Sequence, residues 1–308
     1  MKEVSKGHLA ILGVNLIFGF NTPITKSVLS SQYIEPLALV FFRFIGATAA
    51  FWLVSCFVSK KYKATKKDIL LFFVASLLGV VINQMTFVIG LNSTSPVDAS
   101  IIVTIVPILT MLIASAYLKE PITTKKVAGV MLGCAGAMLL ILTGTGANGQ
   151  SSCIYGNLMC LVSCFSYAIY LCIFRDLIKR NHPVVLMKWL TLFAVVVTSP
   201  VCYKSVIAVD YAALQLNEVM GILYVVLMAT FVAYLLIAIG QARLRPTTLS
   251  MYNYFQPVVT CVISIAVGLD IFGWHKALAA ALVFLGVYIV TQSKSKAQLD
   301  AEKHASSK

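Results

Sequence analysis

Charge is scarce in this chain. Only 11% of its 308 residues are Asp, Glu, Lys or Arg, and 59% are hydrophobic, whereas a soluble globular domain carries about 25% charged residues on its hydrated surface. A sequence this poor in charge cannot coat a water-soluble globule, so we predict that lipid is its main solvent. The formal net charge of +13 does not indicate nucleic acid as a partner, because the basic residues lie between apolar runs rather than on one soluble face.

Motifs that carry catalytic chemistry are missing as well. No acidic residue falls deep within an apolar stretch, and no G-x-x-x-x-G-K-[ST] loop for nucleotide phosphates occurs. No group of His, Cys, Asp or Glu has the spacing of metal ligands. We therefore expect no catalytic residue, no metal and no cofactor, and we predict that the protein is not an enzyme. The sequence indicates neither a proton relay nor direct drive by ATP.

Long apolar runs are what the chain has instead. A helix needs about 20 mostly apolar residues to cross the hydrocarbon core of a bilayer. The sequence predicts an all-α polytopic membrane protein with ten such spans, near 8–29, 37–58, 68–91, 97–118, 125–143, 154–174, 183–203, 217–241, 246–268 and 276–292. The segment 143–152, rich in Gly, Asn and Ser, is predicted to be a turn at the membrane interface.

The basic residues predict how these spans are oriented. Cytoplasmic loops of membrane proteins are enriched in Lys and Arg, and most of the 24 basic residues lie at the N-terminus, in alternate loops and in the tail. The opposite side holds Lys26, Lys204 and Lys276, while Arg43 and Lys188 fall inside spans. We therefore expect a multi-pass protein of the cell (inner or plasma) membrane with both termini in the cytoplasm.

The sequence matches itself at an offset of 150 residues. In one gapless register the matched pairs are Gly90 with Gly240, Pro96 with Pro246, Ser100 with Ser250, Pro107 with Pro257, Glu120 with Asp270, Lys126 with Lys276 and Gly136 with Gly286. We predict two five-helix domains, a first half at 1–146 and a second half at 147–293, followed by a cytoplasmic tail at 294–308. Because five is odd, the second half enters the membrane from the opposite side. Inverted halves can open a shared midplane site to each side in turn, which favours a transporter.

These residues resemble the drug/metabolite transporter superfamily, specifically its EamA-type ten-helix transporters. The resemblance covers roughly 8–143 and 154–292 and rests on FGFNTPITK, on Pro36 followed by Arg43, on the series Pro96, Pro107 and Glu120, and on YAIYLCIFRDLI at 167–178. Asp270 stands where the family usually has Glu, and Ala279 and Val283 stand where glycines would pair with Gly129 and Gly133. The resemblance implies a carrier of small solutes. It also implies that Arg43, at a recurrent arginine position, is a structural anchor near the mouth of the cavity.

Polar residues inside the spans are the candidate substrate ligands. Polar groups at membrane depth are costly and usually face the bundle interior or a wet cavity. Helical spacing places several of them on shared faces beside aromatic rings, as in small-molecule pockets. The predicted lining is Asn15, Thr22, Asn83, Phe87, Tyr167, Tyr170, Asn253 and Tyr254. Small polar residues also form helix-packing seams in membranes, and the sequence leaves that alternative open.

Two prolines and two cations inside the spans have alternative interpretations. Pro107 and Pro257 fall near the middle of the fourth and ninth spans, where a proline kinks or loosens a helix. They are predicted to be gating hinges, although simple bending is the alternative. Arg43 has the further options of pairing with an anionic solute, pairing with a carbonyl or carboxylate of the bundle, or snorkelling to the interface. Lys188 is predicted to snorkel.

The combined prediction is a secondary transporter that exports amino acids or similar small polar metabolites by alternating access. Carriers of nucleotide sugars, organophosphates or drugs are alternatives with the same fold. Carriers of phosphate compounds need several cavity cations, for which Arg43 and Lys26 are the candidates. A membrane enzyme acting on lipid-linked substrates is an alternative of another class, but His8, His182 and His275 are scattered without partners. The expected partners are a small solute and the bilayer, with the protein a monomer or a homodimer.

Overall fold

The computed structural model describes residues 2–57, 66–94, 99, 102–143, 154–266 and 273–293. Within these ranges the regular secondary structure is helical, without a β-strand. Several sequence predictions fall outside the described residues: Pro96, Ser100, Asp270, the tail at 294–308 and all but the first residue of the predicted turn at 143–152.

The described residues form fourteen α-helices. In chain order they are α1 (Lys2–Ser30), α2 (Pro36–Ser55), α3 (Lys66–Ser76), α4 (Asn83–Ser93), α5 (Val106–Leu118), α6 (Thr124–Thr143), α7 (Ile154–Ile173), α8 (Arg175–Arg180), α9 (Pro183–Ile207), α10 (Leu216–Val226), α11 (Ala233–Arg243), α12 (Pro246–Met251), α13 (Phe255–Ala266) and α14 (Trp274–Thr291). Three connections are themselves helical. The first π segment (Leu77–Ile82) joins α3 to α4, the second π segment (Leu227–Val232) joins α10 to α11, and a 3-10 turn (Tyr252–Tyr254) joins α12 to α13.

Six helical stretches are long and apolar enough to cross a membrane. They are Val4–Ser30, Pro36–Ser55, Lys67–Ser93, Ile154–Ile173, Pro183–Ile207 and Leu216–Arg243, and two shorter apolar helices are Val106–Leu118 and Ala277–Thr291. Large apolar side chains point outward from several of them, among them Leu53 and Tyr288. An apolar exterior of this kind suits lipid as the surrounding solvent. The prediction of an all-helical, polytopic membrane protein is confirmed.

The 150-residue register of the sequence recurs in the helix boundaries. Lys66–Ser76 corresponds to Leu216–Val226, and Asn83–Ser93 corresponds to Ala233–Arg243. The two π segments between them correspond as well. A π-helix forms i→i+5 hydrogen bonds, is rare, and is frequently found at functional sites. A π segment therefore interrupts an α-helical stretch in each half of the sequence, at positions that are 150 residues apart.

Helix packing follows the same register. Helix α1 packs against α11, and the matching helices α7 and α4 pack against each other, while α2 packs against α9 and α6 against α14. In the last pair, a β-carbon added at Gly129 would lie 2.6 Å from the carbonyl oxygen of Gly286, and one added at Gly136 would lie 2.7 Å from that of Ala279. Small residues allow membrane helices to approach this closely. Adding 150 to position 129 gives 279, and subtracting 150 from position 286 gives 136. The two contacts are therefore equivalent under the 150-residue offset.

The apolar core extends through most of the helices, and part of it lies between α2 and α9. Phe44 and Phe51 of α2 and Leu186 and Leu190 of α9 are all fully buried, and the Phe51 ring meets Phe231 edge to face, with the centroids 4.8 Å apart. Lipid tails are as apolar as leucine, so van der Waals packing rather than removal from water holds such a core together. Arg43 of α2 and Met187 of α9 line the cavity described next, so this pair of helices forms part of its wall.

Candidate functional site

A cavity of about 130 Å³ lies among helices from both halves of the sequence. Helices α1, α4, α7 and α11 supply much of its wall, with contributions from α2, the first π segment and the 3-10 turn. Its polar lining consists of Asn15, Asn21, Thr22, Arg43, Asn83, Gln84, Ser163, Cys164, Tyr167, Tyr170, Tyr234, Gln241, Asn253 and Gln256. Among the described residues, this lining includes neither a carboxylate nor a histidine.

The structure brings all but one of the predicted ligands to this cavity. Asn15, Thr22, Asn83, Phe87, Tyr167, Tyr170 and Asn253 line it. Tyr254 does not, because its fully buried ring packs against Gly133 of α6 and its hydroxyl donates to the Val130 carbonyl oxygen at 3.4 Å. Successive residues of a 3-10 turn point about 120° apart. Since Asn253 faces the cavity, its neighbour Tyr254 turns away from it.

Asn83 ties α4 to α7. Its amide nitrogen donates to the carbonyl oxygen and the hydroxyl of Ser163, at 3.1 Å and 2.9 Å. The Ser163 hydroxyl in turn donates to the Asn83 carbonyl oxygen at 2.7 Å. Gln84 donates to the Asn83 side-chain oxygen at 3.2 Å. Asn83 therefore fixes the cavity wall, with its amide already engaged on both atoms.

Two stacked tyrosines form the aromatic part of the wall. The rings of Tyr167 and Tyr170 stack with their centroids 6.2 Å apart. Tyr170 also packs on the first π segment, where a β-carbon added at Gly79 would lie 2.6 Å from the ring. Its hydroxyl donates to the Gln241 side-chain oxygen at 3.1 Å, which connects α7 to α11. A glycine at position 79 is thus required by the aromatic ring beside it.

Arg43 is buried in the cavity wall, with 2% of its surface exposed. Its Nε atom donates to the Thr230 hydroxyl at 2.9 Å, and Nη2 donates to the Ala229 carbonyl oxygen at 3.4 Å. The Thr230 hydroxyl donates to the Val225 carbonyl oxygen at 2.7 Å. Arg43 therefore contacts the second π segment through neutral acceptors, one of which is a carbonyl oxygen of the bundle. Its burial shows that it does not snorkel to the interface. No carboxylate of the described residues pairs with it.

Three buried polar atoms of the lining make no hydrogen bond within the described part of the chain: Asn15 Oδ1, the Tyr234 hydroxyl and Gln241 Nε2. Buried polar atoms in proteins are nearly always paired, so unpaired atoms at a cavity are candidate ligand contacts. The sequence predictions missed Tyr234 and Gln241. Their spacings of three and four residues around Ile237 place all three on one face of α11 and could have identified them.

Cross-helix contacts lie near both ends of α1. Near its N-terminal end, the His8 ring and the Tyr252 hydroxyl are 2.7 Å apart. Toward its C-terminal end, Lys26 donates to the Leu91 carbonyl oxygen at 3.0 Å, and Gln256 donates to the Thr22 hydroxyl at 3.3 Å. Thr22 and Gln256 come from different halves of the sequence, so their bond connects the halves at the cavity.

The two prolines lie immediately after interruptions in their spans. Pro107 stands in the first turn of α5, which begins at Val106 after a turn, and Pro257 stands in the first turn of α13 after the 3-10 turn. A first-turn residue needs no intrahelical partner for its N–H, so proline fits there without loss. The predicted loosening of the two spans is present, but it precedes each proline. The hinge role stays a prediction.

A second group of buried charges lies outside the cavity, between α5, α6, α8 and α12. Glu120 is 2.7 Å from Lys126 Nζ and 3.9 Å from Arg175 Nη1. The Thr247 hydroxyl donates to the same Glu120 oxygen that accepts from Lys126, at 3.0 Å. Burial alone would raise the pKa of Glu120, but the hydrogen bond and charge of Lys126, with help from Thr247 and Arg175, lower that pKa below its ordinary value.

Lys188 lies beside aromatic rings on the outer surface. Its ammonium lies 4.3 Å from the centre of the Trp52 ring, and Trp52 and the neighbouring Trp189 meet edge to face. A lysine held over a tryptophan face gains a cation–π attraction. The predicted snorkelling of Lys188 remains a prediction.

Comparison with known proteins matches most of the chain. The EamA-like transporter family matches residues 5–142 and 154–292. Similar proteins include the uncharacterized transporter YyaM of Bacillus subtilis, 25% identical over 283 residues that cover 91% of this chain and 92% of that one. The WAT1-related protein At2g40900 of Arabidopsis thaliana is 24% identical over 324 residues, covering 96% of this chain and 80% of that one.

A solved crystal structure shares the fold. It superposes with a TM-score of 0.73 at 16% sequence identity and covers 93% of this chain and 97% of its own. The relatives named above include proteins called transporters, and the family match spans both halves of the sequence. The chain belongs to the EamA-like transporter family.

Proposed function

We propose that the protein is a secondary transporter that exports amino acids or similar small polar metabolites across the cell membrane by alternating access. The observation that carries the proposal is the cavity. Both halves of the sequence line it, and three of its buried polar atoms lack a partner among the described residues. Such a chamber offers a solute hydrogen bonds that the protein itself does not use.

The matched helices support two inverted halves of five spans each. Helix boundaries repeat at an offset of 150 residues. The same offset relates the packed pair α1 and α11 to the packed pair α7 and α4. Two equivalent halves that differ only in orientation can trade conformations, which opens the shared site to one side and then the other. With the positive-inside pattern of the loops, this arrangement favours ten spans and cytoplasmic termini.

The dimensions and charge of the cavity favour a small polar solute. A volume of about 130 Å³ is smaller than that of pockets for drug-sized ligands, which measure about 300–1,000 Å³. Arg43 is the single cation among the described lining residues, which disfavours carriage of nucleotide sugars or organophosphates. The lining offers no carboxylate or histidine for general acid–base catalysis, which disfavours an enzyme acting on lipid-linked substrates.

Breaks in the spans supply the means of gating. The interruptions before Pro107 and Pro257 lie in spans whose residues Val106 and Asn253 line the cavity. Bending at these points would move one wall relative to the other. The contacts near the two ends of α1, His8 with Tyr252 and Thr22 with Gln256, would then break in alternate states.

Comparative metabolomics of cytoplasm and medium tests transport directly. Overproduction should lower the internal level and raise the external level of at least one small polar metabolite, and Asn15→Ala should abolish the shift. Asn181→Ala is a matched control, because both asparagines are buried, donate to the carbonyl oxygen four residues earlier and leave Oδ1 unpaired, yet Asn181 is not a lining residue. An unchanged distribution of every solute would refute transport.

Cysteine labelling tests the ten-span topology separately. In a chain with Cys56 and Cys153 replaced by serine, one cysteine introduced at position 148 should react with a membrane-impermeant maleimide added to intact cells. Reaction only after the cells are permeabilised would place this segment in the cytoplasm and overturn the ten-span count.

A further inference from the structure

The guanidinium of Arg43 has hydrogen-bond donors to spare. An arginine carries five N–H groups in a rigid fork, and the structure gives Arg43 two bonds, from Nε to Thr230 and from Nη2 to Ala229. The Nη1 amino group has no acceptor within the described part of the chain. These two bonds orient the guanidinium and leave its other N–H groups available to a ligand. A planar fork held in this way matches the geometry of a carboxylate.

Within the described residues, no anion pairs with the positive charge of Arg43. Isolated buried charges are strongly unfavourable, and buried cations are normally paired with anions. The described lining provides amides and hydroxyls but no carboxylate. One carboxylate of a solute would pair with the guanidinium, including the carboxylate of a solute that also carries an ammonium group. A phosphate dianion would instead leave the cavity with an excess negative charge.

Tyr234 adds a second donor to the lining of the cavity that contains Arg43. It lies four residues after Thr230, about one helical turn along the same stretch, and it lines the same cavity. Its side chain is 6% exposed and its hydroxyl makes no hydrogen bond to the described residues. A hydroxyl buried without a partner costs free energy that a bound oxygen would recover.

An acceptor stands on α1. The Asn15 amide nitrogen is tied to the Ile11 carbonyl oxygen at 2.8 Å, which leaves Oδ1 as the unpaired atom. An amide oxygen accepts hydrogen bonds from ammonium and hydroxyl groups. The unpaired Gln241 Nε2 supplies one more donor on α11. The cavity thus combines a cationic donor pair with a neutral acceptor in a volume of about 130 Å³.

We propose that Arg43 and Tyr234 bind the carboxylate of the solute and that Asn15 accepts a hydrogen bond from the solute's ammonium or hydroxyl group. The inference rests on the proposed function, since it assigns the class of the transported solute as small monocarboxylates that carry a hydrogen-bond donor. Amino acids belong to this class. Arg43 then acts as a ligand in addition to anchoring the second π segment.

Binding to the purified protein tests the assignment. The thermal unfolding midpoint in lipid nanodiscs is recorded with each protein amino acid, with lactate and with propanoate, and then with the matching carboxamides and with inorganic phosphate. At least one carboxylate should raise the midpoint, while its carboxamide should not. Carboxamides as effective as the acids, phosphate more effective than any carboxylate, or no response to any acid would each overturn the proposal.

Variants locate the binding site. Tyr234→Phe removes a hydroxyl that has no partner among the described residues, so the fold should be unaffected. The Kd of the responding carboxylate should rise on the order of tenfold to a hundredfold, as expected for a lost hydrogen bond to a charged group. Arg43→Lys should weaken binding and Arg43→Gln should abolish it. Lys188→Gln is the control cation outside the cavity. Wild-type Kd in both Tyr234→Phe and Arg43→Lys would refute the assignment.

The two proposals fail in different ways. If a neutral solute changes its distribution across the membrane while no carboxylate binds, transport stands and the carboxylate site is refuted. If carboxylates bind in an Arg43-dependent way and no solute moves, the site stands and transport is refuted.

Discussion

Two buried cations of this protein, Lys126 and Arg43, are almost equally hidden, at 1% and 2% exposure, but they have different surroundings. Lys126 has the carboxylate of Glu120 at 2.7 Å, with Thr247 and Arg175 completing the cluster. Arg43 has only neutral oxygen atoms as acceptors within the described residues. The difference separates a charge that serves the fold from a charge that is available to a ligand.

The position of each cation agrees with this division. The Glu120 cluster joins α5 and α6 to α8 and α12, outside the cavity, so the contacts it makes are between parts of the protein. Arg43 faces the cavity. A buried ion pair contributes little net stability, yet removing one partner is costly because the other charge stays buried alone. Mutations can therefore test whether the two cations differ as described.

The largest expected effect comes from Glu120→Ala. This change leaves Lys126 buried without its anion and should lower the free energy of unfolding by about 3–5 kcal/mol. Denaturant unfolding of the purified protein measures the loss. Asp176→Ala, which removes an exposed carboxylate on α8, should change stability by no more than about 0.5 kcal/mol. Equal losses in the two variants would mean that leaving Lys126 buried without its anion has no additional cost in stability.

Removing both charges should restore part of the loss. The double variant Glu120→Met with Lys126→Met replaces the pair by apolar side chains, so neither charge of the pair is left buried alone. It should recover at least about 2 kcal/mol relative to Glu120→Ala, since apolar replacement of a buried pair is often neutral or stabilising. The same unfolding experiment measures it. If the double variant is as unstable as the single one, the loss arises from packing and not from the stranded charge.

A smaller effect is expected where Arg43 meets the second π segment. Thr230→Val removes the acceptor of the Arg43 Nε bond while keeping the shape of the side chain, and it should cost about 1.5 kcal/mol. Thr198→Val is the matched control, because its buried hydroxyl donates to the Ala194 carbonyl oxygen and meets no cation among the described residues. The control should lose less. A Thr230→Val protein as stable as wild type would show that the bond does not anchor Arg43.

Acid should affect the Glu120 cluster modestly. The folded-state pKa of Glu120 is lowered, so its stabilising contribution is present above the unfolded-state pKa, near its ordinary value of 4.5, and is lost as the pH falls through the folded-state value. When unfolding midpoints are recorded from neutral pH downward, the midpoint should start to decrease at about pH 4.5. The decline should be shallower in Glu120→Gln. Parallel pH profiles would contradict a lowered pKa for Glu120.

The spans and their register could be predicted from the sequence because lipid imposes simple demands. Apolar runs of sufficient length give the helices, and the matched glycines and prolines give the offset of 150 residues. The π segments could not be predicted, because LLGVVI and LMATFV are as apolar as any α-helical stretch of this chain. Hydrophobicity reports that a segment is buried in the membrane, not how many residues it places in each turn.

The site could be predicted in part. Helical spacing placed most of the predicted ligands in the lining, since a polar face must point inward wherever lipid surrounds the bundle. Tyr254 lies outside the cavity because it directly follows Asn253, and adjacent residues of an α-helix or a 3-10 turn point about 100–120° apart. The environment of Arg43 depends on Thr230, which lies 187 positions away in the chain. No local pattern reports a contact of that kind.

The two π segments have a consequence for the phase of the helices that follow them. Each residue of an α-helix advances the side chains by about 100°, and a π turn holds an extra residue. The direction of every later side chain is therefore offset by that residue. Asn83 and Phe87 on α4, and Tyr234 and Gln241 on α11, follow such an offset and reach the cavity. Deleting one residue from each π segment should restore plain α-helix and keep both polar faces toward the cavity, whereas winding all the residues of each segment as α-helix would turn those faces by about 100°.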